Sequence, residues 1–291
     1  MTDVPSVSHV CPDLVGRALA PIAWEWDERD AILYALGICA RLPEDLEYLY
    51  EGRGPRVAAT FPLAAVAQAL LPFVAALELD LRTLLHAAQA IELRRVPAPA
   101  GAATITRRIT GVWDKGRAAM VDCEDVVEDA DGVLAVARSA WWVAGAGGFG
   151  GPRSDPAAAA AAPPAVPEDR DADLRASVPT TTEQAALHRL SGDRNPVHID
   201  PEPARAAGQP RPFLHGLCTL GVLGHALDRA AGAGGRRLAT LEGRFTRPVF
   251  PGDALEVEAW HAEDGARAAA RVSVDGALAL GPARATFAPR S

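Results

Sequence analysis

Phe213-Leu214-His215-Gly216 opens a run in which Leu217, Leu220, Leu223, Leu227 and Ala231 recur at helical spacing before Gly232. An apolar stripe of that period predicts a buried helix, and the glycine predicts its C-terminal stop. Downstream, Pro248 to Gly252 marks a turn, and β-rich stretches follow at Ala254 to His261, Arg267 to Val274 and Ala277 to Phe287. A helix followed by a run of strands is the pattern of an α+β unit, with an antiparallel sheet laid over the helix.

Working upstream, the same plan recurs. Leu84-Leu85-His86-Ala87 precedes Pro97 to Gly101 and β-rich stretches at about Thr104 to Trp113, Arg117 to Glu128 and Gly132 to Val143. The chain therefore reads as two distorted copies of one unit. His86 to Pro97 spans 11 residues and His215 to Pro248 spans 33, so the second copy holds 22 more, and these carry the helix. A sheet around a full helix in one half, and around a shortened one in the other, predicts an apolar groove at the pseudo-twofold interface. Spacing alone leaves open whether that groove is empty or filled by Leu and Trp side chains.

Between the copies the composition changes. Gly145-Ala146-Gly147-Gly148-Phe149-Gly150-Gly151 runs into an alanine tract, Ala157 to Ala162, then Pro163-Pro164 and Pro167. Such a stretch predicts a linker, which divides the chain into residues 1–150, a linker at 151–175, and 176–291. The glycines at 145, 147 and 150 match a dinucleotide-binding fingerprint in spacing. That fingerprint needs a helix opening at its third glycine and an acidic residue about twenty positions on. Pro152 and a proline-rich tract follow instead, so the reading is rejected.

At 291 residues there is length for two small units, each with its own core. Nearly half the residues are apolar and about a quarter charged, a globular profile. The formal charge of -8 opposes an extended phosphate-binding face, so no nucleic-acid partner is expected. Cys11, Cys39, Cys123 and Cys218 are scattered and form no C-x-x-C pair, which predicts neither a disulfide framework nor a zinc site and suits a reducing, cytoplasmic setting. Met1 to Val10 shows two Pro/Ser turns and no secretory pattern. The apolar stretch from Phe61 to Leu79 is broken by Gln68, Pro72 and Glu78, short of the ~20 residues a membrane helix needs, and is expected to be interior.

The segment richest in chemistry runs His188-Arg189-Leu190-Ser191-Gly192-Asp193-Arg194-Asn195-Pro196-Val197-His198-Ile199-Asp200-Pro201. Gly192 suits a tight turn, Asn195 a helix cap and Pro196 a first helical position, so a loop is predicted to enter a short helix. Asp193 and His198 then come near each other, and a carboxylate and an imidazole so placed can share one water for general acid/base work. The same pair also suits a structural role, with Asp capping amides and His packed in the interior.

This segment resembles the Y-x-L-S-G-D-x-N-P-L-H-x-D signature of the hydratase 2 family, the MaoC-like dehydratases. The resemblance continues through Phe213 to Gly221 and through Phe245-Thr246-Arg247-Pro248-Val249-Phe250-Pro251-Gly252. Arg29 to Gly37, Asp114-Lys115-Gly116 and the Gly147 to Gly151 run are similar to the first half of double-domain members, the type found in peroxisomal multifunctional enzyme type 2. What the resemblance implies is an α+β double hot-dog, two antiparallel sheets wrapping central helices, with a degenerate first half that holds the acyl chain and a catalytic second half. It implies reversible hydration of trans-2-enoyl-CoA to (3R)-3-hydroxyacyl-CoA. Asp193 and His198 match the catalytic pair, Asn195 a neighbour that orients water and substrate, and Gly216 the residue whose backbone N–H polarises the thioester carbonyl. His86, Ala87, Lys115 and Phe245 match positions that contact the acyl-CoA.

Two positions depart from the pattern: His188 stands where the family has an aromatic, and His86-Ala87 where its first half has His-Gly. No metal or redox cofactor is implied. The expected partners are an acyl-CoA or acyl carrier protein substrate and a second copy of the chain in a homodimer, without nucleic acid or membrane. A hot-dog thioesterase and a non-catalytic acyl-thioester binder are the rival readings, because one fold serves several functions.

Overall fold

In the computed structural model, which describes residues 10–155 and 165–290, two halves repeat one strand order. In the first half, β1 (Ile22–Trp26) precedes four short helices, α1 (Glu28–Gly37), α2 (Leu46–Leu49), α3 (Leu63–Gln68) and α4 (Leu70–Ala76). There follow β2 (Leu84–Leu93), β3 (Gly101–Asp114), β4 (Ala118–Asp129) and β5 (Gly132–Ala144). In the second half, β6 (Leu174–Pro179) precedes α5 (Gln184–His188), α6 (Pro201–Ala206) and α7 (Gly216–Ala233). The strands β7 (Arg236–Phe245), β8 (Ala254–His261), β9 (Arg267–Val274) and β10 (Ala277–Pro289) complete it. The expected turns within residues 1–9 and the alanine tract with Pro163-Pro164 lie outside the described residues.

Laterally the halves run β1-β3-β4-β5-β2 and β6-β8-β9-β10-β7, every pair antiparallel. This duplication is the double hot-dog. The two expected sheets are joined edge to edge. β2 pairs β7 from Ala88 opposite Arg244 to Glu92 opposite Thr240, which makes one sheet of ten strands.

The strand order corrects one correspondence drawn from the sequence. His86 and Ala87 lie within β2, the counterpart of β7, and not at the start of a helix. The first-half counterpart of the His215-Gly216 corner is the turn before α3. The shortened helix is therefore α3 and α4, and Pro72 explains its shortness. Proline has no N–H to give the carbonyl four residues back, and it is tolerated only in the first turn of a helix. The chain accordingly ends α3 at Gln68 and starts α4 at Leu70, with Pro72 inside the new first turn. The stretch from Phe61 to Leu79 is mostly interior, as expected.

α7 runs 18 residues without such a break. Leu217, Leu220, Leu223 and Leu227 are all buried in one cluster with Leu241, Leu280, Ala283 and Phe287 of β7 and β10. Its other side meets the first half, where a Cβ on Gly221 would lie 2.4 Å from Ile38 and one on Gly224 2.5 Å from Thr60. The glycine run after β5 is also ordered. The Asp114 carboxylate accepts N–H bonds from Gly116, Gly148 and Gly150, and no helix opens there, so this glycine loop cradles a carboxylate of its own chain.

Candidate active site

Gly192 has φ +139, and a Cβ there would sit 2.8 Å from the Ala64 carbonyl oxygen, so only glycine lets the loop turn this tightly against α3. The turn delivers Asp193, whose Oδ1 accepts the Asn195 N–H at 3.0 Å. Asn195 then caps the short 3-10 helix Pro196–His198, with its Oδ1 taking the Val197 N–H and proline at the first helical position. Loop, cap and short helix follow the sequence expectation. Their effect is to bring a carboxylate oxygen of Asp193 and a ring nitrogen of His198 within 4.8 Å of each other.

The His198 ring is fixed from behind. Its Nδ1 lies 2.8 Å from the Phe213 carbonyl, which can only accept, so the proton is on Nδ1 and Nε2 carries the lone pair. Burial lowers its pKa, opposed by the Asp193 charge and the Phe213 carbonyl. His198 is thus a neutral imidazole with its basic nitrogen free.

His215 completes the cluster. It is 1% exposed, its Nε2–H donates to the Asp193 carbonyl at 3.1 Å, and its ring centroid lies 3.8 Å from that of His198 at 32°. His188 stands beyond it at 4.9 Å, its Nδ1 3.2 Å from the Gly37 carbonyl. Burial, and then the neighbouring imidazoles, hold His215 well below the usual histidine range, and burial takes His188 down to about 4. Among the described residues Asp193, His198 and His215 are also the group whose atoms could approach one metal ion. Nε2–H of His215 is committed to the Asp193 carbonyl, which leaves its buried Nδ1 as the nitrogen with a free lone pair.

Asp193 and His198 line a cavity of about 350 Å³, with His215 and His188 outside its lining; the volume is within the size range of small-molecule sites. One wall carries Asp193, Asn195, His198, Gly216 and Thr219. Opposite stand Leu70, Leu84, His86, Trp141 and Trp142 from the first half, with Phe245 between. The groove expected between the halves is thus present, lined by Leu and Trp but not filled by them. Gly216 is the first residue of α7, where helix N–H groups have no partner inside the helix and the helix dipole is positive. A Cβ on it would come 3.0 Å from the Phe245 ring.

His86 stacks on Trp141 at 4.2 Å and meets Phe245 edge-on at 5.0 Å; burial lowers its pKa to about 3. Ala87 lines the same wall. Lys115 departs from expectation. It sits in the β3–β4 turn, outside the cavity lining, with Nζ bonded to the Arg153 carbonyl, because the Asp114 cradle folds that turn onto the glycine run. Cys218 is buried and its thiol donates to the Gly37 carbonyl at 3.2 Å. The sequence reading missed His215 as a site residue, along with Trp141 and Trp142. A histidine beside a helix-start glycine was the available signal, but nothing local says that its ring turns back to a residue 22 positions earlier.

Fold and site together define a double hot-dog protein with a carboxylate and an imidazole beside a helix-start amide on one wall of a cavity between its halves. The chain matches the MaoC like domain over residues 165–278 and the MFE-2 hydratase 2 N-terminal domain over residues 24–145. It is 36% identical over 270 residues to the enoyl-CoA hydratase ChsH3 of Mycobacterium tuberculosis, covering 89% of this chain and 91% of that one. It is also 36% identical over 276 residues to the 3-hydroxyacyl-thioester dehydratase Y of the same organism, covering 91% and 92%. A solved MaoC-like dehydratase from Phytophthora capsici superposes with a TM-score of 0.82 at 26% identity, covering 97% of this chain and 98% of that one. The chain belongs to the MaoC-like hydratase 2 family.

Proposed function

We propose that this chain is a hydro-lyase that adds water reversibly across the 2,3 double bond of a trans-2-enoyl-CoA, giving a (3R)-3-hydroxyacyl-CoA. The observation that carries the reading is the approach of Asp193 and His198 to within 4.8 Å on one cavity wall, beside the amide end of α7. Water held between the two groups is close to both a carboxylate acceptor and the free Nε2 of His198. As its oxygen bonds C3, Nε2 takes a proton and the double-bond electrons move onto the thioester oxygen. Gly216 N–H supports that enolate charge, an interaction worth roughly 100- to 1000-fold in rate per donor. The imidazolium then returns its proton to C2, so one water is added and the enzyme is restored. Asp193 orients the water and stabilises the transient imidazolium.

Asn195 lies beside the pair as an orienting group, and the first-half wall with His86, Ala87 and Phe245 takes the acyl chain. The R configuration rests on the family resemblance, and the CoA carrier on the resemblance and the name of the first relative. No metal or redox cofactor enters the proposed reaction. Homodimerisation rests on the resemblance and a cytoplasmic location on the scattered, unpaired cysteines; sedimentation tests the first. No described helix is long and apolar enough to cross a membrane.

Incubation with crotonyl-CoA tests the reading. Hydration removes the enoyl absorbance without releasing thiol, and chiral analysis of the product reads the configuration. Thiol release would instead identify a thioesterase, and binding without turnover a carrier protein.

A further inference from the structure

Three residues within a stretch of four do different jobs around the water site. Phe213 gives its carbonyl to His198 Nδ1, His215 gives its Nε2–H to the Asp193 carbonyl and its ring face to His198, and Gly216 starts α7. The His215 side chain touches both members of the acid/base pair. We propose that His215 is a positioning residue for hydration, holding the main chain of Asp193 through Nε2–H and the ring of His198 by close, tilted ring contact.

The inference rests on the proposed hydration, in that Asp193 and His198 are the groups being positioned. The geometry has a specific tautomer built into it. Nε2 faces a carbonyl and must carry the proton, while Nδ1 is buried with no partner. An unpartnered buried acceptor is unfavourable, and a residue serving only to fill space could be a phenylalanine without that penalty. The histidine is therefore best explained by what Nε2–H does. It ties down the loop at Asp193 itself, whose side chain would otherwise swing with a turn of glycine and exposed arginine. The ring contact sets the plane of His198, already pinned at Nδ1, on the cavity wall. The groups around His215 are His198, His188, Arg189 and the Asp193 carbonyl; a second positive charge among them would oppose the imidazolium that hydration forms, and a neutral His215 avoids this.

Two variants separate the contributions. His215→Phe keeps a ring against His198 and removes the N–H. His215→Gln keeps an N–H that reaches the Asp193 carbonyl. Orienting partners of site groups are worth roughly 10- to 100-fold in activity, so His215→Phe is expected to lower kcat by that factor with KM within about threefold, and His215→Gln to recover most of it. A kcat for His215→Phe within about threefold of the parent overturns the proposal, as does a KM rise that accounts for the whole loss, or no rescue by His215→Gln. Should neither variant fold by circular dichroism, nitrogen NMR of the parent protein decides. A proton on Nε2 of His215 at neutral pH supports the positioning role, while a proton on Nδ1 or a charged ring overturns it. A parent protein that hydrates no enoyl-CoA sinks the proposed function instead, and the NMR result still judges His215.

Discussion

His198 is suited to the proposed role of base because three separate features agree: burial keeps it neutral, the Phe213 carbonyl fixes its proton on Nδ1, and the residue lines the cavity. Glutamine at that position has no comparable basicity, and asparagine at 193 removes the charge that steadies the imidazolium. Asp193→Asn and His198→Gln are each expected to lower kcat by at least ~100-fold while melting temperature stays near that of the parent, measured with crotonyl-CoA and by calorimetry. The folded pKa of His198 is lowered, so the neutral form persists as pH falls through the ordinary imidazole range. Hydration should stay flat from pH 8 to about 6.5 and decline only below that, whereas a profile falling already between pH 8 and 7 would exclude His198 as the base. Lys115 gives a contrasting case. Its ammonium is tied to the Arg153 carbonyl away from the cavity lining, so Lys115→Ala should change KM for crotonyl-CoA by less than about twofold, the usual scale of a change at a distant surface site.

At the scale of elements, the break between α3 and α4 has a keeper. Arg107 of β3 is 1% exposed and forms a paired bond with Asp125 of β4, itself fully buried, at 2.7 and 2.9 Å. The same guanidinium donates to the carbonyls of Val66, in the last turn of α3, and Ala69, at the junction with α4. Arg107 thus fastens the broken helix to the sheet, and with it Leu70 of the cavity wall. Arg107→Met leaves Asp125 buried without its partner, and removing one side of a buried ion pair costs about 3–5 kcal/mol. Urea unfolding should show a loss of that size; a loss under about 1 kcal/mol would mean that water or another cation replaces the guanidinium.

Across the whole molecule, buried neutral histidines make stability depend on acid. In the unfolded chain an imidazole titrates near 6.5, while folded His188 is lowered to about 4. The unfolded state therefore binds the proton first, so the stability is fully present above pH 6.5 and drains away as pH falls towards 4. The rate is about 1.4 kcal/mol per pH unit for such a group. His86, lowered to about 3, and the lowered His198 and His215 act in the same direction. Melting temperature should be level between pH 8 and 7 and fall steeply from 6.5 to 4; His188→Phe, which removes one titrating group, should flatten that slope.

Periodicity and turn chemistry determined a good deal alone. The stripe from Leu217 to Ala231 gave α7, the three β-rich stretches of each half gave β3 to β5 and β8 to β10, and Gly192, Asn195 and Pro196 gave the loop and cap that present Asp193. These are local, written in residues a few positions apart. The counterpart of the His215 corner was misplaced onto β2, because two copies of a unit align in sequence by chance resemblance but in space only by strand order. The edge joining of β2 to β7, the place of Lys115 and the return of the His215 ring to Asp193 were decided by tertiary structure. Each depends on which distant backbone carbonyl or strand edge lies within hydrogen-bonding reach, and that is fixed only when both halves have packed.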